Sequence, residues 1–303
     1  MLSGFLQSCV LCGHRCGVDR TAGQTGQCRA GREPVVASSC LHWGEEPVIS
    51  GSRGSGTIFF ANCCLKCVYC QNYEISQKGK GKEAGKEELV RIMLELQAKG
   101  AHNINLVSPT HYAPPIVEAL KSARRQGLKL PIVYNTGGYD SLELLRELDG
   151  LIDIYLPDFK YWDNDNAAKY SRAENYPEVA RQGITEMFRQ VGNIVLDDEG
   201  VAGKGLLVRQ LVLPNGLADS AKILGFLAAL STELWISLMA QYNPQHRAKE
   251  RPELARPLQP EEYRQVVAAA ESLGLSNVYV QELESSEVFL PDFRRDDPFS
   301  AAG

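Results

Sequence analysis

The sequence predicts an α/β fold, a partial (β/α)6-type open TIM-like barrel with a cysteine-rich N-terminal extension. From residue 57 onward, short apolar runs alternate with amphipathic helical segments, which is typical of βαβ units around a parallel sheet. Of the 303 residues, 44% are hydrophobic and 23% are charged, a composition that can bury a substantial core. About six or seven such units can curl into a barrel with active-site loops at the C-terminal ends of its strands.

Each element follows from the local pattern of apolar residues. In the first helix Leu89, Ile92, Met93 and Leu96 recur at helical spacing and the pattern ends at Gly100. Ser141 is expected to cap the third helix. The predicted strands cover residues 57–60, 103–107, 131–134, 152–156, 206–213, 234–239 and 278–281. The predicted helices cover residues 86–99, 116–126, 142–148, 176–190, 218–230 and 260–273.

Two regions are expected, an extension over residues 1–45 and the barrel over residues 46–303. The extension is rich in Gly and Arg and shows no helical or strand period. A segment this short cannot bury enough surface to fold stably by itself. We therefore expect bound metal to stabilise it. At its end His42, Glu45 and Glu46 precede the first predicted strand, where they either line the entrance to the site or are solvated.

Composition excludes two classes of partner. The chain has 32 Lys and Arg against 37 Asp and Glu, a net charge of −5, so it is poorly suited to gripping a nucleic acid. No apolar run approaches the ~18 residues of a membrane span, and the first seven residues do not resemble a secretory signal. We therefore expect a cytoplasmic protein with no nucleic-acid or membrane partner.

Nine cysteines in a reducing compartment favour metal or redox sites over disulfides. Cys63, Cys67 and Cys70 follow the first predicted strand with spacings of three and two residues. Three thiolates on so short a loop can hold an iron–sulfur cluster and leave one iron without a protein ligand. Cys64 is not counted, because neighbouring side chains in an extended run point apart. A structural zinc loop that uses Cys64 or a remote cysteine is the alternative.

A second group of cysteines lies in the extension. Four cysteines within 20 residues suggest a structural site that zinc or an auxiliary iron–sulfur cluster would fit, since both accept four thiolates. Cys40 could replace one member, and reduced, unligated thiols are the alternative reading. The predicted ligands of this possible second site are Cys9, Cys12, Cys16 and Cys28.

The segment from Cys63 to Asn72 reads CCLKCVYCQN and resembles the radical S-adenosylmethionine (SAM) signature CxxxCxΦC. Its extension to Gln71-Asn72 is similar to the pyruvate formate-lyase activating enzymes and their uncharacterised relatives, over the chain from the N-terminal cysteines to about residue 290. The resemblance implies a [4Fe-4S] cluster on the three loop cysteines, with SAM chelating the fourth iron. One electron would then cleave SAM to methionine and a 5′-deoxyadenosyl radical, which abstracts a hydrogen atom.

The same resemblance implies a set of SAM-binding residues. The family usually has Gly-Gly-Glu after the second strand, where residues 107–111 read Val-Ser-Pro-Thr-His instead and three side chains could accept from the SAM amine. An Asn-Thr-Gly-Gly turn follows the third strand, and an Asp-x-Lys motif, with its lysine at the SAM carboxylate, follows the fourth. The implied set, with positions near the ribose and adenine last, is Tyr69, Ser108, Thr110, His111, Asn135, Thr136, Asp158, Lys160, Arg209 and Gln241.

Several of these residues have a second reading. His111 could be a loop histidine without a role, Asp158 and Lys160 an ordinary surface ion pair, and Arg209 and Gln241 structural residues.

The leading functional hypothesis is a glycyl-radical-enzyme activase, which takes a glycine hydrogen from a partner protein and an electron from a flavodoxin- or ferredoxin-type donor. One alternative is radical modification of another peptide or a small molecule. Another is a non-catalytic zinc or iron–sulfur module whose cysteines only stabilise the fold. A block like the N-terminal cysteines occurs in the uncharacterised branch and not in the shorter activating enzymes, which weakens direct transfer of their substrate.

Overall fold

The computed structural model describes residues 2, 4–283, 291–293, 295 and 298–299. Its sheet has the strand order β10-β9-β8-β6-β5-β4-β2-β1-β3, with β7 paired to β8. Seven of these strands are mutually parallel, from β2 to β10. The strands are β1 Val35–His42, β2 Ser55–Phe60, β3 Lys82–Glu83, β4 Ile104–Val107, β5 Ile132–Thr136, β6 Ile154–Pro157, β7 Val195–Leu196, β8 Ala202–Leu211, β9 Trp235–Met239 and β10 Asn277–Val280.

Within the described residues, two of the α-helices precede β2, one follows the cysteine loop, and the other seven lie between parallel strands. They are α1 Gly4–Gln7, α2 Pro47–Ser50, α3 Tyr73–Ser76, α4 Lys86–Ala98, α5 Ala113–Arg125, α6 Leu142–Glu147, α7 Asn164–Ser171, α8 Tyr176–Val191, α9 Ser220–Leu230 and α10 Pro260–Ser272. No helix in the described ranges has the length and apolar character that crossing a bilayer requires.

The predicted α/β class is confirmed, and the sheet is mostly parallel and open. Each of the seven predicted strands overlaps one parallel strand, and the six predicted helices overlap α4, α5, α6, α8, α9 and α10. The predicted cap is also present, because the backbone N–H of Leu144 donates to Ser141 Oγ over 3.2 Å. Helix α7 was not predicted, although it proves central to the site.

The N-terminal extension contributes a strand that the sequence pattern did not predict. Strand β1 runs antiparallel to β2 and joins the main sheet. Six of its eight residues are only half-buried, so the alternation of apolar and polar residues that identifies a strand is missing. Residues 35–42 of the predicted extension are therefore part of the sheet.

Two further contacts attach the N-terminal segment to the loop between β5 and α6. The backbone N–H of Gly13 donates to the Tyr139 carbonyl over 3.0 Å, and that of Ser141 donates to the Leu11 carbonyl over 3.1 Å.

Helix α2 packs on one face of the sheet, where Ile49 meets Ile154 and Leu207 in a small buried cluster. The chain that precedes β2 therefore reaches the interior of the fold.

Candidate functional site

The cysteine loop leaves the end of β2 and is held by the last turn of α7. The backbone N–H of Lys66 donates to the carbonyl of Ser171 over 3.0 Å, and that of Val68 donates to the carbonyl of Tyr170 over 2.8 Å. The last carbonyls of a helix have no partner within the helix, so they are free to accept from another segment. Helix α7 thus fixes the backbone on both sides of Cys67, the second cysteine of the motif.

Cys63, Cys67 and Cys70 all line one cavity. Each sulfur also has a hydrogen-bonding neighbour. The backbone N–H of Leu65 donates to Cys63 Sγ over 3.4 Å, Ser171 Oγ donates to Cys67 Sγ over 3.0 Å, and Ser76 Oγ lies 3.2 Å from Cys70 Sγ. The loop therefore presents three sulfurs whose orientation is set by the surrounding chain.

Burial raises the pKa of the Cys63 and Cys67 thiols to about 11. Both thiols are consequently protonated at neutral pH while nothing is bound. A metal ligand must be the thiolate, so binding a cluster releases these protons. The donor set, three sulfurs facing a common space, fits a [4Fe-4S] cluster with one iron left for another ligand.

The cavity has a volume of about 760 Å³ and lies at the C-terminal ends of the parallel strands, where ligands of such sheets bind. Among the predicted SAM-binding residues, those that line it are Tyr69, Ser108, Asn135, Thr136, Asp158, Lys160, Arg209 and Gln241. Other lining residues include Gln71 and Asn72 of the extended motif and Glu45 and Glu46.

Lys160 Nζ donates to Asp158 Oδ2 over 2.8 Å, and their side chains are 15% and 23% exposed. Burial by itself lowers the lysine pKa, but the charge and the hydrogen bond of the Asp158 carboxylate oppose it, and overall the Lys160 pKa is raised. Lys160 therefore remains a cation in the wall of the cavity that the three cysteines also line. Both motif residues face the site instead of bulk solvent.

The Asn135-Thr136 turn is held against the Asp158 strand end by a close backbone approach. Gly138 has φ +74°, and a Cβ there would lie 2.2 Å from the Asp158 carbonyl oxygen. Only glycine can occupy this position without strain. Thr136 Oγ1 also donates to Asp140 Oδ2 over 2.6 Å, which orients the turn beneath the cavity.

Thr110 and His111 are not brought to the cavity, unlike Ser108. Thr110 Oγ1 donates to Asp140 Oδ1 over 2.7 Å, and His111 Nε2 lies 2.9 Å from the Ala61 carbonyl oxygen. Burial lowers the pKa of His111 to about 3, so the ring is neutral. The 3-10 turn at residues 110–112 points both side chains into the protein interior, where they stabilise the loops around the site.

Arg209 forms a buried ion-pair network with Glu45 and Glu46. Its Nε and Nη2 donate to the two carboxylate oxygens of Glu46 over 2.8 and 2.6 Å, and Nη2 also donates to Glu45. Burial would raise the pKa of Glu46, but Arg209 lowers it overall. Both glutamates are only 7% exposed, so these residues line the site and are not solvated.

The N-terminal cysteines gather around a buried arginine. Arg20 is 3% exposed, and its Nη2 donates to Cys9 Sγ over 3.2 Å and to Cys28 Sγ over 3.4 Å. Cys12 and Cys64 interact through their side chains, and this contact raises the pKa of the Cys64 thiol. Cys64 therefore faces the N-terminal cysteines.

Two observations limit what this second group can hold. In the part of the chain that the structure describes, no three His, Cys, Asp or Glu side chains are placed to hold a single metal ion, either here or in the cysteine loop. Cys40 packs elsewhere, in a cluster with Phe59 and Ile75, and is not near the arginine's sulfur partners. The N-terminal site thus stays a prediction.

Comparison with known proteins places the chain in a family. The sequence profile of the radical SAM superfamily matches residues 57–196. An uncharacterized protein of Methanocaldococcus jannaschii is 31% identical over 285 residues, which cover 91% of this chain and 78% of that protein. A pyruvate formate-lyase-activating enzyme of Clostridium pasteurianum is 24% identical over 181 residues, 57% of this chain and 67% of that enzyme. The protein belongs to the radical SAM superfamily.

Solved structures share the fold. Streptococcus suis SuiB bound to its precursor peptide SuiA has a TM-score of 0.52 at 11% identity, over 76% of this chain and 49% of that one. The radical SAM methyltransferase TsrM from Kitasatospora setae has a TM-score of 0.51 at 13% identity, over 81% of this chain and 57% of that one. This chain spans about half the length of these structures, and the similarity concerns architecture alone.

Sequence reasoning missed the second layer of the site. Ser171 and Ser76, which contact Cys67 and Cys70, lie outside every motif. Asp140, which accepts from three hydroxyl groups, was also missed. No local signal marks these residues, because their partners are set by packing of α7, α3 and the β5 turn.

Proposed function

We propose that this protein is a radical SAM enzyme that holds a [4Fe-4S] cluster on Cys63, Cys67 and Cys70 and binds SAM in the adjoining cavity. The observation that carries the proposal is the division of the cysteines. Three sulfurs line the cavity, whereas Cys64 contacts Cys12 instead. That division supports a cluster with one iron left for the amino and carboxylate groups of SAM.

When bound, the cluster and SAM supply the chemistry, a one-electron reductive cleavage that yields methionine and a 5′-deoxyadenosyl radical for hydrogen abstraction. The residues of the chain itself bind SAM, orient it and shield it from water. Lys160 offers a cation for the SAM carboxylate, and Asp158 holds that lysine in place. Asn135 and Thr136 offer polar groups to the methionyl part, and apolar walls such as Leu65 and Met239 restrict water.

Arg209 and Gln241 are proposed to meet the ribose and adenine. Gln71 Nε2 donates to the Gln241 backbone carbonyl over 3.0 Å, which links the motif extension to this end of the cavity. Arg209 already has two carboxylate partners, so it would act by fixing Glu45 and Glu46 as acceptors. A hydroxyl-bearing ribose is a suitable donor for such carboxylates.

Within this class we infer an activase-like role, hydrogen abstraction from a glycine of a partner protein. The similarity to a pyruvate formate-lyase-activating enzyme supports it. The partner would be a glycyl-radical-type protein or peptide, and the electron would come from a flavodoxin- or ferredoxin-type donor. The experiment below separates the activase role from two alternatives. One is modification of another peptide or of a small molecule, and the other is a non-catalytic metal module.

The N-terminal cysteines are proposed to hold a second metal group, zinc or an auxiliary iron–sulfur cluster. Arg20 supports this, because its buried guanidinium donates to Cys9 Sγ and Cys28 Sγ and favours their thiolate forms, although burial is the larger effect and raises the pKa of both thiols overall. Thiolates in turn are the form that binds metal.

The test is anaerobic reconstitution with iron and sulfide, reduction, addition of SAM and chromatography of 5′-deoxyadenosine. Wild type should form this product, and Cys67→Ala should be soluble, lack the cluster and form none. Cys40 packs away from both cysteine groups, so Cys40→Ala is the matched control. It should form as much 5′-deoxyadenosine as wild type. Unchanged product in Cys67→Ala would overturn the ligand assignment.

Metal content measured on the same samples separates the remaining readings. About four irons per chain indicate one cubane and about eight indicate two, whereas zinc without iron and no product would favour the structural module. Adding a glycyl-radical enzyme as substrate, and following its radical by electron paramagnetic resonance (EPR), tests the activase role. 5′-Deoxyadenosine without a glycyl radical would favour another peptide or a small molecule.

A further inference from the structure

Ser171 is a fully buried serine whose hydroxyl touches a cysteine of the proposed cluster. It is the last residue of α7, its exposed fraction is 0%, and its Oγ donates to Cys67 Sγ over 3.0 Å. Ser76, the last residue of α3, is 7% exposed and places its Oγ 3.2 Å from Cys70 Sγ. Two of the three sulfurs therefore each have a buried serine hydroxyl beside them.

The direction of both hydrogen bonds follows from the chemistry of the ligand. A free thiol can donate its own proton, so either atom could be the donor at Cys70. A cysteine that ligates iron is a thiolate and has no proton. Once Cys67 and Cys70 hold the cluster, Ser171 and Ser76 must therefore be the donors.

We propose that Ser171, with Ser76, raises the reduction potential of the cluster and so sets how readily it accepts the electron. This inference rests on the cluster assignment proposed above. Reduction adds negative charge that is shared by the thiolate sulfurs, and a donor at the sulfur stabilises the more negative state. Hydrogen bonds to the sulfurs are one of the factors that set these potentials, and they are strong at a buried, charged acceptor. Both serines are positioning residues, because they act through the cysteines.

The surroundings of Ser171 allow its hydroxyl to be removed cleanly. The backbone carbonyls of Tyr170 and Ser171 accept from Val68 and Lys66, and an alanine at 171 keeps both bonds. The Ser171 hydroxyl also lies 2.8 Å from the hydroxyl of Tyr161, which in turn bonds Tyr69. Tyr161 is fully buried and donates to Tyr69, so its hydroxyl keeps a hydrogen-bond partner when the serine hydroxyl is removed.

The experiment compares midpoint potentials of the reconstituted full-length protein without SAM, by mediator titration followed by EPR. Iron content is measured first in wild type, Ser171→Ala, Ser76→Ala and Ser171→Thr. Ser220→Ala is the matched control, since Ser220 is also buried, at 6% exposure, and does not line the cavity.

In Ser171→Ala we expect the equilibrium constant for reduction to fall about tenfold, which for a one-electron couple is a shift of ~59 mV to more negative potential. Ser76→Ala should shift the potential in the same direction, Ser171→Thr should restore it and Ser220→Ala should leave it unchanged. If Ser171→Thr fails to fold, Ser76→Ala carries the second test.

A full iron content with an unchanged or more positive potential in Ser171→Ala would overturn the inference. Loss of iron in Ser171→Ala would also overturn it, by making the serine a structural support of the loop. A wild-type protein that assembles no cluster would instead refute the proposed function itself, so the two failures are distinguishable by the first iron measurement.

Discussion

Replacing Arg209 with methionine removes the cation that Glu45 and Glu46 share and leaves two buried carboxylates behind. Arg209 is 13% exposed and Glu45 and Glu46 are 7% exposed each. Glu46 is bound through both of its oxygens, at 2.8 and 2.6 Å, and Asn105 Nδ2 donates to Glu45 Oε1 over 2.8 Å. Methionine keeps most of the apolar stem, so the change isolates the charge.

The magnitude follows from that burial. Removing one partner of a buried ion pair typically costs about 3–5 kcal/mol, because the remaining charge is uncompensated. One hydrogen bond from Asn105 cannot replace a bidentate guanidinium. We expect the Arg209→Met variant to lose about 3–5 kcal/mol of unfolding free energy near neutral pH.

The loss should depend on pH. In the wild type Arg209 lowers the pKa of Glu46 below its ordinary value. The stability this supplies is present above the unfolded glutamate pKa and disappears as pH falls through the folded value. In Arg209→Met burial acts unopposed and raises the Glu46 pKa, so the glutamate takes up a proton more easily. The difference between the two proteins should therefore be largest near pH 8 and smaller near pH 5.

Urea unfolding at both pH values, on proteins matched for iron content, measures this difference. The control variant Arg209→Met/Glu45→Gln/Glu46→Gln carries no buried charge at the network and should recover much of the lost stability. A deficit below about 1 kcal/mol, or one that does not change with pH, would refute the reasoning.

Two further predictions concern the cavity. Gly138→Ala should lower the unfolding free energy by at least about 3 kcal/mol, because φ is +74° and a Cβ would meet the Asp158 carbonyl at 2.2 Å. The control Gly127→Ala, where φ is +102° and no atom lies near the added Cβ, should cost only about 1 kcal/mol. Equal losses of unfolding free energy in urea would contradict the predicted clash. Lys160→Met should weaken SAM binding at least about tenfold, ~1.4 kcal/mol, with iron content retained; unchanged affinity by equilibrium dialysis would leave the Asp158–Lys160 pair a structural role.

The sequence alone predicted the features that repeat or cluster locally. The apolar period of segments such as 86–99 and 103–107 predicted α4 and β4, and the spacing of Cys63, Cys67 and Cys70 predicted the family that the profile match confirms. Strand β1 and helix α7 were missed. The half-buried residues of β1 lack the alternation that identifies a strand, and α7 lies between the predicted segments.

Tertiary structure decided which distant side chains meet. Ser171 contacts Cys67 across 104 positions, and Arg209 reaches Glu46 across 163. Neither pair leaves a local pattern, because each distance depends on how helices and loops pack around the ends of the strands. The same packing turned Thr110 and His111 away from the cavity that their place in the sequence predicted. The spacing of residues along the chain determines local conformation and ligand geometry. Contacts between residues that are far apart in the sequence are determined only when the hydrophobic core assembles.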